Sequence, residues 1–224
     1  MTERGDVAGD RKSVATPARV VSDPIEIAKQ EAANGLKQFD AVIEYVEQAL
    51  REGAFALRPS TLLRLNRVAL EGLNQYAGNY RPSEIYITGS KHKPPSAADV
   101  AELVEELCEY INRNFETKSA LHLAAYVMWR LNWIHPFDDG NGRTARAASY
   151  LVLCAKLRNR LPGKPTIPDL IADNKKPYYK ALEECDAAWA RDAIRLDTLE
   201  QFLENLLGAQ LLSALEEAKG QPVG

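Results

Sequence analysis

The run Ile134-His135-Pro136-Phe137-Asp138-Asp139-Gly140-Asn141-Gly142-Arg143-Thr144-Ala145-Arg146 holds the side chains that chemistry on phosphate groups requires. Gly140 and Gly142 flank an asparagine, so the backbone tolerates positive φ there and a ligand can come close to its amides. The stretch from Thr144 to Leu157 is apolar and helix-forming, so a Gly-rich turn opens a helix. The first N–H groups of a helix have no internal partners, and with the positive end of the macrodipole they form a site for phosphate oxygens. Arg143 and Arg146 lie three apart on the first turn and add planar forks that bind phosphate bidentately. Arginine at a helix N-terminus opposes the dipole, which an anion would compensate. Asp139 precedes the turn and can ligate Mg²⁺, an ion that takes one or two carboxylates together with phosphate oxygens and water. His135 stands at the opposite lip, where an imidazole titrating near neutrality can take a proton from a hydroxyl.

Each part has an ordinary structural alternative. A histidine can be a satisfied core residue, Gly-Asn-Gly a mere turn, Asp139 an Asx-turn or cap, and the arginines solvated. Their conjunction within so short a run is what favours chemistry. Phe137, between Pro136 and charged residues, is expected to anchor the loop to the core in either case.

The elements that must position this run are helical. From Pro24 the residues Ile25, Ala28, Ala32, Leu36, Phe39, Ile43, Val46 and Leu50 recur at three and four, a long amphipathic helix ended by Gly53. A second helix is expected from about Ser60 to Glu71, and a third from Ser96, where Asp99 makes a weak capping box. The fourth, about Ser119 to Trp133, is apolar nearly all round and hence central; it delivers His135, and the fifth, Gly142 to Leu157, leaves the loop. Later helices fall near Ile167 to Asp173, Pro177 to Arg191 and Asp197 to Ala218. Ile85-Tyr86-Ile87-Thr88 is β-prone and Gly89-Ser90 a turn signal, with Lys91, His92 and Lys93 read as a solvated tip. Residues 1–23 are polar and aperiodic and are expected to form a disordered tail, leaving 24–224 as one domain with its core at about 60–195.

Composition fits a globular chain. At 224 residues a sizeable core is available, and 46% hydrophobic with 26% charged residues is ordinary. The net charge of −3 gives no basic footprint for bulk nucleic-acid binding. Cys108, Cys154 and Cys185 form no C-x-x-C and sit in apolar helical patterns, so reduced buried thiols and a cytoplasmic setting are expected. No secretory h-region and no membrane-length apolar stretch is apparent. His122 has no cysteine or second histidine spaced to make a zinc site and reads as a core histidine.

The string from His135 to Arg146 resembles the signature of the Fic (filamentation induced by cAMP) family, His-Pro-Phe-x-Asp/Glu-Gly-Asn-Gly-Arg-x-x-Arg, at every specified position. The resemblance implies an all-α bundle with one short β-hairpin, the flap, and a nucleotidyltransferase that moves AMP from ATP to a Ser, Thr or Tyr hydroxyl of a target protein, releasing pyrophosphate. It implies His135 as base, Asp139 on Mg²⁺, the Gly140-Asn141-Gly142 amides around the phosphates and Arg143 on the β- and γ-phosphates. Arg146 would meet the γ-phosphate or, in an inhibited state, a glutamate. Glu71-Gly72-Leu73, Ala77-Gly78-Asn79-Tyr80-Arg81 and Ile85-Tyr86-Ile87-Thr88-Gly89-Ser90 are similar to the segment that ends in the flap, whose open edge can take a target peptide by β-augmentation. Ile171 to Leu182 also looks Fic-like and makes Asn174, Tyr178 and Tyr179 candidates for the adenosine pocket; packing is the alternative for the tyrosines.

Family members are often restrained by Ser/Thr-x-x-x-Glu-Gly/Asn. Here Arg67 to Gly72 has arginine at the first position, Ser22 to Glu26 fits worse, and Ser213 to Ala218 has alanine at the last, which leaves Glu217 as the one candidate inhibitory glutamate. An antitoxin-like partner, as in toxin–antitoxin pairs, could supply another. Transfer of a different phosphate-containing group (UMP, GMP, phosphocholine, or Doc-like phosphorylation), de-AMPylation and a non-catalytic nucleotide-binding regulator stay open beside AMP transfer. The intact Gly142 argues against the Doc-like arrangement.

Overall fold

Several helix starts fall where a side chain or a proline suits an unpaired first turn. The structure, a computed structural model that describes residues 13–14 and 20–220, contains β1 (Ser13–Val14), α1 (Pro24–Glu52), α2 (Pro59–Leu70), β2 (Tyr86–Ile87), a 3₁₀ turn (Ala97–Asp99), α3 (Val100–Asn114), α4 (Ala120–Ile134), α5 (Asn141–Leu157), α6 (Ile167–Asp173), α7 (Lys175–Trp189) and α8 (Asp197–Ala218). Asp23 caps α1 by accepting from the Ile25 N–H at 2.8 Å, Pro24 fills N1, and Gly53 ends the helix at φ 63°. Ser119 caps α4 by accepting from the His122 N–H at 3.0 Å. Ser96 caps the 3₁₀ turn that leads into α3 rather than α3 itself. α2 begins one residue before the expected Ser60, because Pro59 takes N1. α7 runs from Lys175, two residues ahead of expectation, since Pro177 is tolerated in a first turn.

The most apolar helix is the central one. α4 buries residues all round, including Trp129, Met128 and Leu131, and packs along α5. Small residues of α5 such as Ala145 and Ala148 allow the approach, and the Ser149 hydroxyl donates to the Ala124 carbonyl across the pair at 2.9 Å. α1 and α2 cover α5, while α3, α7 and α8 cover α4. The all-α class is as expected, and among the described residues no helix is long and apolar enough to cross a membrane.

The strand's partner differs from expectation. β2 pairs antiparallel with β1, Ser13 opposite Ile87 and Val14 opposite Tyr86, instead of forming a hairpin with the residues that follow it. His92 is engaged by the Trp133 carbonyl at 2.7 Å, so the chain beyond the Gly89 turn leaves the ladder. The rest of the expected N-terminal tail, 1–12 and 15–19, lies outside the described residues.

The histidine and cysteines away from the motif are structural. His122 is satisfied by Glu200 (2.8 Å) and the Tyr110 hydroxyl (2.9 Å). The three cysteines are free and buried, and burial pushes the Cys108 and Cys185 thiols up to about 12 and Cys154 to about 11.

α1 is fastened to α2 by two buried carboxamides. Asn34, fully buried, donates to the carbonyls of Ala69 (3.3 Å) and Glu71 (2.8 Å), and Gln38 donates to that of Leu65 (3.0 Å). The Ala69 and Glu71 carbonyls lie at the end of α2, beyond the helix's own ladder. Asn34→Ala is therefore expected to cost about 1–3 kcal/mol, read as a lower urea midpoint at unchanged slope.

Candidate active site

α4 does not stop at Ile134; it turns. The His135 N–H still donates to the Leu131 carbonyl (2.9 Å), but the residue sits in the left-handed region at φ 53°, ψ 56°. For a residue with a Cβ that conformation costs roughly 1–2 kcal/mol and must be held. Arg81, 2% exposed, holds it: Nε donates to the His135 carbonyl at 2.9 Å, and the Arg81 N–H donates to the Pro136 carbonyl at 2.9 Å. Its remaining nitrogens bond the Ser83 and Pro95 carbonyls, so one guanidinium ties the segments before and after β2 to the loop.

The imidazole is oriented from beneath. His135 Nδ1 lies 3.1 Å from the Asn132 carbonyl. A carbonyl only accepts, so Nδ1 carries the proton and Nε2 the lone pair, the tautomer a general base needs. Burial is the main cause that pulls the His135 pKa down to about 4, against the Asn132 carbonyl, with the charges of His92 and Arg81 adding to the fall. Asn132 is itself held, donating to the Met128 carbonyl (2.7 Å) and the Tyr178 hydroxyl (2.8 Å).

The loop closes on itself before α5 begins. Asn141, 3% exposed, accepts from the Phe137 N–H (2.9 Å) and donates to the Phe137 carbonyl (2.7 Å). Phe137 is 1% exposed, the expected anchor. Asp138, in the motif's unspecified position, is buried and accepts from Asn74 at 2.7 Å. Asn66 of α2 donates to the Asp139 carbonyl (3.0 Å) and the Thr144 hydroxyl (3.3 Å) while accepting from the Gly78 N–H (3.0 Å).

Gly140 is the residue before α5, at φ 75°, and a Cβ there would stand 3.1 Å from Asn66 Nδ2 and 3.2 Å from Leu70. Conformation and space both demand glycine. The first-turn amides of α5 start beyond it, in the arrangement that cradles anions. Gly142 is less constrained: a Cβ would meet only Arg146 Nη1, at 3.4 Å, which shows that guanidinium folded over the helix start.

Arg143 is engaged by carboxylates. Nη1 lies 3.3 Å from Glu31 of α1 and 3.5 Å from the Ala69 carbonyl, and Nη2 lies 3.8 Å from Asp139. Among the described residues no ion pair holds Arg146. The Asp139 side chain is 46% exposed and accepts from the Gly140 N–H at 2.6 Å. No group of three or more His, Cys, Asp or Glu side chains gathers among the described residues, so a metal at Asp139 would have at most two such ligands from the protein. That donor set suits Mg²⁺ carried with phosphate oxygens and water, not an all-protein cage.

The remaining candidates divide. Ile85 and Ile87 are buried and Tyr86, Thr88 and Gly89 exposed, with Tyr86 at 71%. Tyr178 is 1% exposed, so in this structure its hydroxyl serves Asn132 and its ring the core, beside Phe202. Tyr179 is half-buried next to it, and Asn174 is exposed at the start of α7. Glu217 is exposed in the last turn of α8, a helix that packs on α4, α6 and α7, and no bond joins it to Arg146. His92, read as part of a solvated tip, is half-buried against Trp133. Sequence reasoning missed the roles of Arg81, Asn66, Asn74, Asn132 and Glu31. For Arg81 the repeated resemblance upstream of β2 was a signal; for Glu31, 112 residues from Arg143, there was none.

Residues 56–153 match the family model described as Fic/DOC family. Over that stretch the chain is similar to this family. It is 29% identical over 184 residues to a protein named protein adenylyltransferase Fic from Drosophila persimilis, covering 79% of this chain and 34% of that one. It is 26% identical over 182 residues to the protein of the same name from Nematostella vectensis, covering 80% of this chain and 40% of that one. The chain thus spans about a third of the length of the curated relatives it matches. A Fic-domain-containing signalling protein from Bacteroides thetaiotaomicron shares the fold with a TM-score of 0.69 at 23% identity, covering 87% of this chain and 76% of that one.

Asn141 builds the loop through its two bonds to the Phe137 backbone. Asn141→Ala strands a buried N–H and a buried carbonyl of Phe137 and is expected to destabilise the protein by about 2–4 kcal/mol, measured by thermal and urea unfolding.

Proposed function

We propose that the protein is an adenylyltransferase that moves AMP from ATP to a Ser, Thr or Tyr hydroxyl of a protein target. The observation that carries this reading is the 3.1 Å contact of buried His135 Nδ1 with the Asn132 carbonyl, which assigns the lone pair to Nε2, one short loop from the glycine-opened start of α5. Relatives named protein adenylyltransferase Fic support it.

In this mechanism the acceptor hydroxyl gives its proton to His135 Nε2 as its oxygen attacks the α-phosphorus. The bond from that phosphorus to the bridging oxygen breaks and pyrophosphate leaves. Asn132 keeps the imidazole in the accepting tautomer, and Arg81 keeps the residue in the turn that presents it. The amides at Gly140, Asn141 and Gly142, with Arg143 and Arg146, take the β- and γ-phosphates, and the Arg143 pairs with Glu31 and Asp139 must yield to them. Mg²⁺ held at Asp139 would supply positive charge to the phosphate oxygens. Half-buried Tyr179 and exposed Asn174 are the groups from which the adenosine side would draw contacts.

β2 is the edge along which the target would lie, a mode that asks little of the target's sequence. An antitoxin-like partner would supply the carboxylate that the described residues do not place on Arg146. The three buried free thiols favour the reducing cytoplasm.

Incubation with cell lysate and ATP labelled at the α or the γ position tests the reaction. Label from α alone, lost in His135→Ala, is expected; label from γ alone means kinase chemistry, and no label from either means a binding protein or another donor. The pH dependence gives a second test. The working form is the neutral imidazole, so activity falls only as pH drops through the folded pKa of about 4, well below an ordinary histidine. Transfer should stay flat between about pH 6 and 8, and an acid limb centred near 6.5 would contradict the buried base.

A further inference from the structure

We propose that the edge of β2 is a strand-accepting surface whose resident occupant is the chain's own N-terminal segment at Ser13–Val14, and that an acceptor protein docks by displacing it. The inference rests on reading β2 as the acceptor's docking edge.

The pairing itself is the first observation. Ser13 lies opposite Ile87 and Val14 opposite Tyr86 in an antiparallel ladder. A strand edge with unpaired N–H and C=O groups is a template for any extended segment, and main-chain bonds ask for no particular sequence. The residues beyond the Gly89 turn add no strand to β2, His92 being drawn to the Trp133 carbonyl, so the edge is left for a segment distant in sequence. Occupancy of the same edge by the N-terminal segment and by a target excludes one or the other.

The second observation is the tether. Six residues after Val14, the Val20 N–H donates to the Leu73 carbonyl at 3.1 Å, which pins the chain to the segment that leads from α2 to β2. Six residues reach at most about 20 Å. A segment so tethered acts at a local concentration of millimolar order. A target that offered only generic backbone bonds would lose to it at cellular concentrations. Docking therefore requires contacts beyond the ladder, and the exposed Tyr86 ring beside the paired positions is where the protein offers one. The occupant turns an undemanding docking mode into a selective one.

The test uses the full chain and its Ser13→Pro/Val14→Pro variant, in which neither strand residue keeps an N–H to donate to β2. Because the ladder is two residues long, the melting temperature should move by no more than about 2 °C. A fluorescein-labelled peptide spanning Ala8 to Val20 is titrated against both proteins without nucleotide. It should bind the variant at least about tenfold tighter than the wild type, because the edge is then open. Equal affinity, or binding to neither, overturns the proposal. In lysate with α-labelled ATP the variant should label other proteins at least about threefold more strongly, and equal labelling overturns the displacement step. Absence of label with both proteins counts against AMP transfer instead, and the peptide titration then decides the occupancy of the edge alone.

Discussion

The two hydrogen bonds between the Asn141 side chain and the Phe137 backbone close the loop from within. They let the chain pass from α4 to α5 in the six residues 135–140 while the loop's anchor stays in the core. A turn this short between two buried helices must satisfy its own polar groups, because no water reaches them. With Phe137 satisfied by Asn141, the loop can leave Gly140 at positive φ and the first amides of α5 at its outer rim. His135 depends on the same closure: it is the last residue of the α4 ladder and the first of the turn, so its position is fixed by both. Arg81 completes the arrangement from outside by bonding the carbonyls of His135 and Pro136.

Asparagine recurs around this loop for a physical reason. A carboxamide offers both donor and acceptor on a short stem, so one side chain can join two backbones at little rotamer cost. Asn66 joins α2, the Gly78 turn and the loop; Asn74 holds Asp138; Asn34 joins α1 to the end of α2. α2 is thereby bound on one side to the site and on the other to α1. Register is the result: with Asn34 fixed against Ala69 and Glu71, Glu31 one turn earlier lies beside Arg143. A purely apolar contact between the helices could slide; these bonds cannot without stranding buried carbonyls.

Much of the fold was legible in the sequence. Long apolar periodicity marked α1, α4, α5 and α8 within a residue or two, since burial on one face or all faces writes directly into composition. The short motif loop was legible because glycine, histidine and aspartate sit close together in the chain. What could not be read were the partners that come from elsewhere: Arg81 on His135, Asn66 on Asp139, Glu31 on Arg143. Hydrogen bonds between elements have no period. β2 shows the same limit. Its β-propensity was visible, but propensity does not name a partner. The resemblance makes Tyr178 a candidate for the adenosine pocket, with packing as the alternative; in the structure it is 1% exposed and its hydroxyl accepts from Asn132.

The electrostatics of α5 explain why the site is poised for an anion under the proposed reading. Arg143 and Arg146 stand at the positive end of a helix, a placement that is unfavourable by itself. Glu31 and Asp139 relieve Arg143 in the structure, at 3.3 and 3.8 Å, but both carboxylates are about half exposed and such pairs are worth about 0–1 kcal/mol. A phosphate at the same place would accept from backbone amides and a guanidinium together, in charge-assisted bonds about twice as strong as neutral ones. The carboxylates therefore keep the arginine ordered without competing seriously for it. Arg146, folded over Gly142 with no described carboxylate, has less to give up still. The helix start is thus held open by weak partners, and a ligand with two or more phosphates gains more from it than any side chain the protein itself places there.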